Sequence, residues 1–114
     1  MLTALIAAAM IQQAEPAFPR SYWVAQQCSA MLTLIGLKRA EPEDGPMRTL
    51  GLRASRLADE LIPVGRTPEE KAADVAGVRN MLFQTVGRPD SPGFGDRVEA
   101  LAPQAERCRV MLGG

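Results

Sequence analysis

The chain closes on a stretch, Phe94 to Leu112, whose apolar residues fall at Phe94, Val98, Leu101, Ala105, Cys108 and Leu112. Steps of three and four put those side chains along one side of an α-helix. Three earlier stretches carry the same period. They are Val24, Cys28, Met31, Leu32 and Ile35; then Leu50, Ala54, Leu57, Ala58 and Leu61; then Ala72, Val75, Val78, Leu82 and Val86. No stretch sustains the polar/apolar alternation of a strand. Four helices of roughly 15–20 residues with short joints predict an all-α fold, an antiparallel up-down-up-down four-helix bundle.

The helix ends are written in turn chemistry. Ser21 is a candidate N-cap for a first helix running to about Arg39. The loop Ala40–Pro46 is acidic and holds Pro and Gly. Pro46 suits the first position of a second helix, with Asp44 or Gly45 as its cap. Pro63 and Gly65 stop that helix. Thr67-Pro68-Glu69-Glu70 reads as N-cap, Pro at N1 and a capping-box glutamate. Gly87 suits the position just past the third helix, and Pro89 prevents continuation. Pro103 cannot donate to the carbonyl of Glu99, so the last stretch should kink or divide into two shorter helices.

The chain has two cysteines, one on the first stripe and one on the last. Antiparallel packing of those helices brings Cys28 and Cys108 to matching levels with both thiols inward. This predicts a disulfide tying the first helix to the last. The alternative is two buried free thiols in a cytoplasmic protein. A redox-active pair is disfavoured, because there is no C-x-x-C motif and no βαβ context.

Residues 1–14 hold an apolar, Ala-rich run too short to span a bilayer as a helix. Its length and texture are those of a signal-peptide core, although no Lys or Arg precedes it; a retained N-terminal tail is the alternative. Residues 15–20, with Pro16 and Pro19, read as a linker, and 21–114 as the bundle domain. The Ala-, Gly-, Arg- and Pro-rich, Lys-poor composition suits a bacterial genome rich in GC. Together these features predict a periplasmic or secreted protein.

Several functions are excluded or disfavoured by what the chain contains. Thirteen bases balance thirteen acids, and aromatics are few, so neither a nucleic-acid surface nor a stacking platform is expected. Histidine is absent. That removes Ser-His-Asp and Cys-His catalysis and His-built metal sites, and two thiolates alone cannot complete a zinc site. No catalytic residue, metal or cofactor is expected. One end of the bundle gathers Lys38, Arg39, Arg48, Arg53 and Arg88 into a candidate anion patch. Acids in the adjoining loops, Glu41, Glu43, Asp44, Asp90 and Asp96, are expected to neutralise it. Arg79, midway along the third helix, is expected to pair with Glu99 or Asp59. The function expected is that of a small exported helical bundle that binds another protein and does no chemistry. A binder of a small anionic or apolar ligand, or an Arg-dependent helical enzyme, is the alternative.

Overall fold

A computed structural model describes residues 17–113. The expected leader, residues 1–14, lies outside the described residues. Residues 17–20 have no regular secondary structure. The described residues form helices and no strand: α1 (Tyr22–Lys38), α2 (Pro46–Glu60), α3 (Pro68–Val86), α4 (Phe94–Glu99) and α5 (Ala102–Met111). The last two are the halves of the stretch divided near Pro103. The ring sits in the first turn of α5, where its missing N–H costs nothing.

The helix starts follow the sequence chemistry. Ser21 accepts the N–H of Val24 through its side chain. Thr67 and Glu70 form both halves of a capping box. The start of α2 is different. Gly45 has no side chain to cap with, and Glu41 reaches over it from the loop to accept the N–H groups of Met47 and Arg48 at 2.9 and 3.1 Å. A carboxylate at a helix N-terminus also complements the positive end of the dipole. Glu41, expected as a neutraliser of arginine side chains, is therefore the cap of α2.

Helix α1 is the axis of the molecule. Leu32, Ile35 and Cys28 are fully buried on it. Burying a Leu or Ile stabilises by about 1.5–3 kcal/mol. Helix α2 runs antiparallel along one side, with Gly36 against Arg48 and Gly51 against Thr33. It buries Leu50, Ala54, Leu57 and Ala58, as its stripe predicts. Helices α4 and α5 descend along another side. There a disulfide joins Cys28 to Cys108 with 5.6 Å between their Cα atoms. Val98, Leu101, Ala105 and Leu112 complete that wall.

Helix α3 departs from its expected stripe. Of its nineteen residues only Val78 and Val86 are buried, Val75 and Leu82 are half-buried, and Ala72 is exposed. It lies along α1 in the same direction, anchored near its start by a hydrogen bond from Tyr22 to Asp74. At its end Gly87, at φ 82°, turns the chain. Arg97 then clamps that turn. Its Nε donates to the Val86 carbonyl at 2.6 Å, and its other nitrogens to Pro92 O and Ser91 Oγ.

Candidate functional site

Three surfaces carry chemistry or exposed apolar area. The first is a polar latch between α1 and α3. The Tyr22 hydroxyl donates to Asp74 Oδ2 at 2.7 Å. Arg66, on the α2–α3 joint, grips the same carboxylate with Nε and Nη2. A two-pronged guanidinium on a carboxylate fixes both groups. Only 8% of the Asp74 side chain is exposed. Arg66 also lies 5.6 Å from the centre of the Trp23 ring, which meets Tyr22 edge to face. The hydrogen bonds from Arg66 hold the Asp74 carboxyl below its ordinary value. Burial, and then the bond to Asp74, raises the Tyr22 phenol.

The second surface is a groove of about 240 Å³ where α1, α2 and α3 face one another. Gln26 lies in its floor, 5% exposed. The amide sits one turn along from Tyr22 and acts on that phenol, yet its Nε2 finds no acceptor in hydrogen-bond geometry. A buried donor left unpaired costs about 1–3 kcal/mol. Arg79 stands on the α3 wall. It does not make the expected pair: Glu99 is held by Lys38 and Arg39, and Asp59 by Lys71.

The third surface lies on the other flank of α3. Two adjoining grooves share Gln27, Val78 and Met81 and run from Trp23 to Leu101. Trp23 is 47% exposed and Met81 59%.

The five residues of the expected anion patch are distributed as follows. Lys38 and Arg39 converge on Glu99, at 3.2 and 2.8 Å. Their hydrogen bonds pull the Glu99 carboxyl down to about 2. Arg48 packs on Gly36 and donates to the Glu41 carbonyl. Arg53 donates to the Leu112 carbonyl at the far side of α2. Arg88 faces Asp90 on the exposed turn. The structure brings together Lys38 and Arg39, and gives each of the others its own acceptor.

Gln26, Asp74 and Arg66 were not singled out by the sequence. A signal for Gln26 existed. Tyr22, Gln26, Ser29 and Thr33 recur at helical spacing and make a polar strip beside the apolar one. Among the described residues no group of acids or cysteines could hold a metal ion, and no helix is long and apolar enough to cross a membrane. No family model, curated protein or solved structure matches the chain.

Proposed function

We propose that this is a small exported protein, periplasmic or secreted from a bacterium. In this reading an up-down-up-down bundle binds a helix of another protein and does no chemistry itself. The observation that carries it is the pair Trp23 and Met81, both about half exposed, flanking Val78 on the α1–α3 seam. Trp is the side chain most enriched in binding hot spots, and Met adapts its shape to a partner. The seam follows two helices running side by side, so it is long and narrow. That shape suits an amphipathic helix presenting apolar side chains every three or four residues. Its one charged lining residue, Asp74, is already held by Arg66, so the complement is an uncharged face, apolar toward Trp23, Val78 and Met81 and polar toward Gln27, Asn80 and Gln84. The Cys28–Cys108 bond supports an oxidising compartment, where such bonds persist.

The test places a photo-crosslinking residue at Met81 of the full chain in its native host. The same probe at Leu52, exposed on α2, is the control. One discrete adduct at position 81, mapped to a helical segment and lost when Trp23→Ala is added, is the expected result. Equal adducts at both positions, or none at 81, would overturn the reading.

A further inference from the structure

We propose that the groove among α1, α2 and α3 binds a small monocarboxylate with an apolar tail. It lies across α3 from the Trp23–Met81 seam and does not depend on it. Four observations converge on this ligand. Gln26 is 95% buried, and its Nε2 has no acceptor in full hydrogen-bond geometry, only the Tyr22 phenol one turn away on which the amide acts, so a leucine there would avoid most of the cost. The terminal amide torsion is soft, so a small turn presents that N–H₂ to the groove. Arg79 on the facing wall forms no ion pair among the described residues. No acid lines the groove, so a cationic ligand would meet Arg79 uncompensated.

The fourth observation is polarity along the groove. With α1 and α3 running the same way, Gln26, Ser29 and Arg79 come early along those helices, beside the one apolar Val75, and Leu34, Leu37 and Phe83 come later, beside the one hydroxyl of Thr33. A head group that accepts hydrogen bonds belongs at the first end and a hydrocarbon tail at the second. Size agrees. A cavity of about 150 Å³ takes benzene, and this one of about 240 Å³ admits a somewhat larger molecule. A carboxylate held by a guanidinium and an amide gains charge-assisted hydrogen bonds in a partly desolvated site.

The experiment titrates the full oxidised chain, labelled with nitrogen-15, with sodium octanoate, octan-1-ol or octylamine. With octanoate, the Gln26 side-chain amide and the Arg79 and Phe83 backbone signals are expected to shift and saturate. Octan-1-ol should bind about tenfold more weakly, and octylamine should give no saturable shift. Arg79→Ala, at an exposed position, should weaken octanoate about tenfold with no change in melting temperature. Gln26→Leu should weaken octanoate while raising the melting temperature of the free protein, a pair of opposite signs that a merely structural glutamine would not give. The proposal is overturned if octanoate produces no saturable shift. It is equally overturned if the shifts fall on Trp23 and Met81 alone, or if octanol binds as tightly as octanoate and Arg79→Ala changes nothing.

Discussion

Helices α2 and α3 both lie along α1, and they lie there in opposite ways. The α1–α2 seam is closed. Small residues let the two backbones approach until a Cβ built on Gly51 would fall 2.6 Å from Thr33 Oγ1 and 3.3 Å from its backbone nitrogen. The α1–α3 seam is propped. It is held at one end by the Tyr22–Asp74–Arg66 latch, while Arg97 of α4 ties down the far end of α3, and open grooves lie on both flanks. Close packing in the first seam maximises dispersion and leaves no gap between the two backbones at Gly51. Polar props in the second fix the helix while leaving apolar area uncovered. One helix axis thus carries a closely packed partner on one side and an open, partly apolar flank on the other.

The largest way to break this contrast is to free the third wall of α1. Replacing both Cys28 and Cys108 by Ala opens a loop of 80 residues. That should cost about 4.5 kcal/mol in the chain-entropy model. The melting temperature should drop by about 20 °C or more. Calorimetry on the oxidised chain and the double variant checks it, and a fall of only a few degrees would mean that the bridge merely decorates a wall already fixed. Next in size is Gly51→Ala. The new methyl must displace Thr33, a stiff β-branched side chain, so a loss of about 1–3 kcal/mol is expected from urea unfolding.

The closed seam was the legible one. Periodicity placed Leu50, Ala54, Leu57 and Ala58 correctly, because apolar burial writes a period of three and four into the sequence. The matched cysteines were readable for the same reason: each sits on a buried stripe. Caps at Ser21 and Thr67 followed from local chemistry needing only three or four residues. The propped seam was not legible. Its stripe, Ala72 to Val86, looks as apolar as the others, yet Ala72 is exposed and Val75 half-buried. What anchors the start of α3 is a bond between Tyr22 and Asp74, 52 residues apart. Nothing in local spacing announces such a pair. Arg79 was misassigned for the same reason, since Glu99 and Asp59 were claimed by cations from other elements. The anion patch rested on helix ends lying near one another, and side-chain reach sent Arg53 and Arg88 to separate acceptors.

The latch itself is tested by Tyr22→Phe. The ring still fills its buried place, and only the hydroxyl that reaches Asp74 is lost. A typical hydrogen bond contributes about 1 kcal/mol, and that is the expected loss. Hydrogen exchange should locate it in the first turns of α3 and spare α2. Loss spread evenly over both helices would show that the two seams are not independent. Smaller and of opposite sign is Gly77→Ala. A Cβ at Gly77 meets nothing within 4 Å. Alanine there should stabilise by about 0.5–1 kcal/mol through helix propensity. The same substitution thus carries opposite signs at Gly51 and Gly77, which is the contrast between the two seams in its simplest measurable form.

Glu99→Gln probes how the far end of α1 holds the α4 wall, and at neutral pH its effect should be the smallest. The ion pairs of Glu99 with Lys38 and Arg39 are about one-third exposed, where water and salt screen them. Acid makes the pairing visible. In the folded chain the carboxyl is lowered from 4.5 to about 2, first by Arg39 and then by Lys38. As pH falls below 4.5, the unfolded chain takes up a proton here before the folded chain does. Linkage then requires that the stability from this group, fully present above that value, drain away as pH falls toward about 2. Glutamine cannot titrate, so the variant lacks this drain. Its urea midpoint should lie below that of the parent at neutral pH, and the gap should narrow steadily on acidification. A gap that stays constant to about pH 3 would mean that Lys38 and Arg39 do not hold Glu99 in solution. The α4 wall would then rest on the disulfide and its apolar stripe alone.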